Sequence, residues 1–281
     1  MPTFYNGDNA GRGLSPGLWS NCPFIGDVRH DTNLGWFFFD DFTGFPLTAN
    51  ATAQAAIGNY KYFTSSSADP AIPIVEIGAA IGTGKMAYIP GGILQFASDG
   101  DDEGCSLASM AMPCQITRNG GRFWFEARLV TTTIADTKHG FVIGVAQTYG
   151  ATLGATVPIA AAGTLADINF VGFHRLEGDG DKLDTIYKAD GVTQVTVKAD
   201  AITLVASTWL KVGMLYEPRD GKLYYYLNGV PLLNSKTIPS ATGTDFPADV
   251  GLGLIFGLLN ATGTTPGFTY VDWWGCAQLA T

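Results

Sequence analysis

From Trp36 onward the hydrophobic residues fall in short runs cut by Gly, Pro, Asn, Asp or Ser, the punctuation of strands and tight turns. The clearest run is Arg122 to Val130. Phe123, Phe125, Ala127 and Leu129 fall on one face and Trp124, Glu126 and Arg128 on the other, the period-2 pattern of a half-buried antiparallel strand. GFVIGVAQ (140–147) is expected to pair with it. WFFFDDF (36–42), YKYFT (60–64), IPIVEI (72–77), KMAYI (85–89) and ILQFA (93–97) read as earlier strands. The Thr/Ala segment 47–58 predicts a short helix, and DGDDEG (99–104) a loop. After an Ala/Gly-rich connection (150–166) come INFVGFHR (168–175), the turn EGDGD, and a hairpin over 183–200 turning at Asp190-Gly191. TWLKVGMLYE (208–217) and KLYYYLNG (222–229) form another hairpin; VPLLN (230–234), GLGLIFGLL (251–259) and FTYVDWWGCAQL (268–279) complete the series. About fourteen strands without a repeating unit predict an all-β chain of two packed antiparallel sheets rather than a propeller or solenoid.

The first 35 residues have no such period. They are dense in Gly, Asn and Pro yet carry Phe4, Tyr5, Leu14, Trp19, Phe24 and Ile25, too many apolar anchors for a free tail. Residues 1–35 are therefore expected to form an extended arm, with Phe4, Tyr5, Trp19 and Phe24 as its anchors, and 36–281 a single β-sandwich domain. Docking of the arm on a partner and packing of the arm on its own domain are both open from the sequence.

Composition supports a turn-rich β protein: 36 of the 281 residues are Gly, against an average near 7%. Charged residues make up only 15% of the chain, which suggests that part of the surface is covered. A net charge of −9 leaves no footprint for phosphate backbones, so nucleic acid is not expected as a partner. The longest apolar stretch, Val250 to Leu259, has ten residues including three glycines, where a spanning helix needs about 20, so no membrane partner is expected either. The N-terminus has neither the basic nor the apolar region of a secretory signal, which points to synthesis in the cytoplasm. Cys22, Cys105, Cys114 and Cys276 form no CxxC pair and read as reduced, small hydrophobes.

The segment Trp209-LKVGMLYEPRDGKLYYYLNGVPL resembles the hairpin of laminin-G-like, concanavalin A-like domains. Leu223, Tyr225 and Leu227 alternate inward, and Asn228-Gly229 supplies the two positive-φ positions of a type I′ turn. DDFTGF, GRFWFEARLVTTT and YVDWWGCAQ together resemble the concanavalin A-like jelly-roll proteins of tailed bacteriophages, over roughly residues 36–281. The resemblance implies a jelly-roll sandwich in which Tyr224 and Tyr226 face a concave sheet. It also implies a virion component, a decoration or accessory subunit whose partners are the major capsid protein or other virion proteins, as a homo-oligomer or symmetric array.

Chemistry-bearing motifs are sparse. Some concanavalin A-like domains are glycosidases with an acidic strand motif; the nearest match, Glu177-Gly178-Asp179-Gly180-Asp181, departs at the last acid and sits in a Gly-rich turn. Asp179-Gly180-Asp181 and Asp99 to Glu103 offer oxygens for calcium but fit no loop signature, and turn chemistry is the default reading. GAAIGTGKM (78–86) lacks the first glycine and the final hydroxyl of a P-loop. His30, His139 and His174 are far apart and in no metal-spacing motif, and no G-x-S-x-G elbow is present. The sequons at Asn50 and Asn260 lack a secretory route. No catalytic residue, metal or cofactor is therefore assigned. Trp124, Tyr224 and Tyr226 are the candidate contact face, for a protein partner or a surface glycan. Three readings follow: a non-enzymatic virion subunit, a carbohydrate-binding module for host adsorption, and, third, a glycoside hydrolase.

Overall fold

The computed structural model describes residues 13–23, 33–43, 55–64, 74–75, 92–96, 104–135, 139–147, 164–239, 245–260 and 267–281. The expected strand at 85–89 and most of the helix expected over 47–58 lie outside them. In chain order the described elements are α1 (Pro16–Trp19), β1 (Gly35–Asp40), β2 (Ala55–Ile57), β3 (Tyr60–Thr64), β4 (Ile74–Val75), β5 (Leu94–Phe96), β6 (Gly104–Ser109), β7 (Phe123–Thr131) and β8 (His139–Ala146). There follow β9 (Phe170–Arg175), β10 (Lys182–Lys188), β11 (Val195–Thr203), β12 (Leu210–Glu217), β13 (Lys222–Leu227), β14 (Val230–Thr237), β15 (Gly253–Asn260) and β16 (Thr269–Leu279).

They form two antiparallel eight-stranded sheets, the sandwich that the strand pattern predicts. Sheet A runs β14-β13-β12-β7-β16-β5-β4, with β1 also paired to β16. Sheet B runs β11-β10-β9-β8-β15-β6-β3-β2. The first and last strands meet, Gly35 opposite Leu279 and Asp40 opposite Trp274, so the two ends of the domain close one sheet. Between the sheets lies a core in which Phe96 packs on Phe256 with ring centroids 4.1 Å apart, and Phe173 meets Tyr225 edge-on at 5.6 Å.

Three elements and one pairing differ from the sequence reading. The run 140–147, expected to pair with 122–130, forms β8 between β9 and β15 in sheet B, while β7 pairs with β12 and β16 in sheet A. Alternation fixes which face a strand buries, not which sheet it joins. Residues 55–57, expected in a helix, form β2, because pairing with β3 across the Gly58-Asn59 turn outweighs the weak helix preference of the run. β6 had no counterpart; Gly104, Ser106 and Ala108 give no strand signature, although Cys105 and Leu107 alternate into the core. β7, expected to be half-buried, is buried on both faces. A strand covered on its outer face must have a further layer above it.

The β12–β13–β14 unit has the expected register. Tyr225 lies opposite Met214, and Leu223 and Tyr225 enter the core. Tyr224 and Tyr226 belong to a different cluster, on the far side of the sheet. Asn228 (φ 51°) and Gly229 (φ 77°) make the tight turn, and Asn228 Oδ1 accepts the Lys211 N–H at 2.8 Å.

Tyr225→Ala is expected to destabilise the fold by about 3–5 kcal/mol, and Tyr224→Ala, on the other face, by about 1 kcal/mol. The Tyr225 hydroxyl is buried with no hydrogen-bond partner among the described residues, so Tyr225→Phe is expected to leave stability unchanged or raise it. Urea denaturation of the three variants checks the ranking; Tyr224→Ala as the costliest would put the strand in the opposite register.

Candidate functional site

A two-sheet sandwich has two outer faces, and in this chain both are occupied. On the outer face of sheet A, residues 13–23 lie across β7, β12 and β13. Ser15 and the Pro16 that follows start the single turn α1, whose Leu18 and Trp19 turn inward and are buried. The Trp19 ring stacks on Trp124 at 6.5 Å with an interplanar angle of 16°, and Phe37 meets it edge-on at 6.0 Å. Cys22 and Tyr226 complete the apolar cluster. The backbone leaves room for this layer: a Cβ on Gly213 would lie 2.5 Å from Leu18, and one on Gly229 2.5 Å from Ser15.

The latch is polar. Glu126, one of the outward positions of β7, is 1% exposed, and its Oε2 accepts the Ser15 N–H at 2.8 Å and the Trp19 Nε1–H at 2.9 Å. Lys211 donates to the Gly13 carbonyl at 3.0 Å. Burial pushes the Glu126 carboxyl above its ordinary value of 4.5, a rise only partly offset by the bonds from Ser15, the Lys211 charge and the Trp19 bond. Burial likewise pulls Lys211 below the ordinary lysine range, against the opposing pull of Glu126. Farther along the same face Arg128 pairs with Asp272 at 2.5 Å and lies over the Trp209 ring at 4.2 Å. A register shift in β16 between Val271 and Trp273 turns Asp272 toward Arg128.

These contacts decide the fate of the expected contact face. Trp124 is fully buried under Trp19 and offers a ligand no surface. Tyr226 is 8% exposed, in the same cluster, and Tyr224 is half-buried with its hydroxyl donating to Asp220 at 2.8 Å. The three aromatics do come together, but as the floor on which the chain's own arm lies. Trp19, expected as an anchor of the arm with either a partner or its own domain beneath it, packs on its own domain, where Glu126 accepts its indole N–H and Trp124 is its stacking partner. Phe4, Tyr5 and Phe24 lie outside the described residues.

On the outer face of sheet B, Val142, Phe170, Ile186 and Ile255 form an apolar cluster with Leu165, from the end of the Ala/Gly-rich connection, and Ile168 just after it. Lys188 ties this cover down by donating to the Ala166 carbonyl at 3.0 Å, and Gln194 Oε1 accepts the Leu165 N–H at 3.2 Å. At one corner of the sheet, oxygens of Asp179, Asp184 and Asp200 lie within 4.8 Å of one another. Asp184 is buried and accepts the Asp200 N–H at 2.8 Å. Burial pushes its carboxyl up, as do the neighbouring charges of Asp179 and Asp200, against the lowering effect of the backbone bond. Asp179 sits in the expected turn but joins these two rather than Asp181, which pairs with Lys182 at 3.0 Å. Three carboxylates can attract a cation; calcium takes six to eight oxygens, so with one oxygen from each carboxylate the remainder would fall to backbone carbonyls or water. The alternative acids at 99–103 lie outside the described residues.

No protein-family model and no curated protein matches the sequence. Solved structures do match the fold. The carbohydrate recognition domain of Emp47p superposes with a TM-score of 0.53 at 10% identity, over 88% of this chain and 98% of that one. Peanut lectin, in a complex with a nine-residue peptide, gives 0.52 at 13% identity, over 88% and 99%. The fold is thereby defined: two antiparallel sheets packed as a concanavalin A-like jelly-roll sandwich. Identities this low carry the fold and nothing further.

Because Glu126 holds its proton more tightly folded than unfolded, its contribution to stability is complete below pH 4.5 and is lost as pH rises from there through the raised folded value. Glu126→Gln, which keeps an acceptor for Ser15 and Trp19, is expected to remove that segment of the stability-versus-pH curve. Trp19→Ala is expected to cost about 3–5 kcal/mol. Urea titrations across pH 4 to 8 check both, and an unchanged pH slope in Glu126→Gln would place the titration on another group.

Proposed function

We propose that the chain is a non-catalytic carbohydrate-recognition sandwich. The observation that supports this most is the architecture: the paired eight-stranded sheets match two lectin-type domains over 88% of the chain. The disposition of the carboxylates supports the non-catalytic half. Glycoside hydrolysis needs two carboxyl groups facing one bond across an open cleft. Glu126 and Asp272 lie on the outer face of sheet A, one bound to the arm and the other to Arg128. Asp184 lies on sheet B, bound to the Asp200 amide. The Glu177–Asp181 motif lies in the turn between β9 and β10.

The proposal extends to setting. The resemblance of DDFTGF, GRFWFEARLVTTT and YVDWWGCAQ to tailed-phage jelly rolls supports display of the module on a virion, with a capsid or tail protein as its neighbour.

The test is a glycan array probed with the full chain, followed by a reducing-sugar assay on each glycan retained. Saturable binding to one glycan class without release of sugar ends is the expected result. Release of sugar ends would overturn the non-catalytic reading. An array with no saturable binding would overturn carbohydrate recognition and leave the subunit role alone.

A further inference from the structure

We propose that Cys114 and Cys276 are a site of oxidative modification, closing to a cystine that fastens sheet A to sheet B. Cys276 stands on β16 in sheet A, opposite Phe125 on one side and Phe38 on the other. Cys114 is held from sheet B: it exchanges backbone hydrogen bonds with Leu252, just before β15, at 3.1 and 2.7 Å. The two segments are also lashed together beside the thiols. Gln278 Oε1 accepts the Gln115 N–H at 2.9 Å, and Gln278 Nε2 donates to the Gln115 carbonyl at 2.6 Å. Both thiols are free and buried in the same core cluster between the sheets.

Access is the second observation. A cavity of about 520 Å³ between the sheets is lined by Cys276, by Pro113 next to Cys114, and by Trp36, Phe38, Leu254 and Met110. Met110 is 46% exposed, and Asn59, Ala111 and Pro113 on the same lining are exposed as well, which gives a small oxidant a route to Cys276. Cys22 packs within the arm's cluster beside Trp19 and Cys105 lies on β6 opposite Leu258, both away from this lining.

Hydrogen peroxide is an oxidant of the right size. The Cys276 thiolate attacks one peroxide oxygen; the S–O bond forms, the O–O bond breaks, and hydroxide leaves to take up a proton. The Cys114 thiolate then attacks the sulfenic sulfur; the S–S bond forms, the S–O bond breaks, and a second hydroxide leaves. Two thiols are oxidised by two electrons in all, and one peroxide is reduced to two waters. Burial pushes the Cys114 thiol well up, so the second step is expected to quicken as pH rises. The bond would close a loop spanning more than half the chain, where a cross-link constrains the unfolded state most.

The experiment treats the folded full chain with stoichiometric peroxide and reads intact mass, the non-reduced peptide map and Tm. The expected results are a loss of two hydrogens, a Cys114–Cys276 peptide, and a Tm raised by about 10 °C that reverts with dithiothreitol. Cys276→Ser is expected to abolish all three, and the Cys22→Ser, Cys105→Ser double variant to keep them. Should Cys276→Ser fail to fold, differential alkylation of the wild type reads the same point, since both thiols must vanish in parallel. Added oxygen without a cross-link, a cross-link to another cysteine, or a lowered Tm would each overturn the proposal.

Discussion

Each sheet of a sandwich has two faces, and only one of them is buried by the partner sheet. In this chain both outer faces carry an apolar cluster: Trp124 and Tyr226 on sheet A, beside the buried charges Glu126 and Arg128, and Val142, Phe170 and Ile255 on sheet B. Left to water, those faces would be large apolar patches of the kind that soluble monomers do not carry. The chain therefore supplies its own lids, residues 13–23 over one sheet and residues 164–168 over the other. The low content of charged residues follows from the same constraint, since a surface roofed by apolar segments has fewer positions for charge.

The two lids are fastened differently from the core they cover. Each combines an aromatic or aliphatic contact with hydrogen bonding to a strand side chain: Glu126 accepts from Ser15 and Trp19, and Lys188 donates to the Ala166 carbonyl. A buried carboxylate is a costly fastening unless its acceptors are used, and Glu126 uses one oxygen for two donors. That geometry fixes where the arm crosses the sheet, which apolar contact alone would leave free to slide. It also closes the aromatic floor of sheet A to external ligands, so the proposed glycan recognition would have to use other surfaces of the sandwich.

Local features were legible in the sequence. The alternation in 122–130 and the Asn-Gly turn at 228–229 depend on neighbours along the chain, and the structure has both. The covering of β7 was not, because Trp19 and Glu126 are 107 residues apart and nothing in either segment names the other. The excess of apolar residues in a stretch without period was the available signal, and it fits a partner and the chain's own domain equally well. β6 was lost for a different reason: small residues facing outward blur the period that larger ones would show. The acidic cluster was half legible. Asp179 stood out in its turn, but Asp184 and Asp200 meet only because they sit at similar distances from Gly191 on the two arms of one hairpin.

The central claim is that the N-terminal segment belongs to the fold of its own domain, and amide hydrogen exchange on the free, full chain tests it most directly. The amides of Ser15, Leu18, Trp19 and Cys22 donate to Glu126, Ser15, Ser15 and Trp19, and the account predicts protection factors within tenfold of those in β7. Exchange of these four amides at the rate of an unstructured peptide, with β7 still protected, would contradict it.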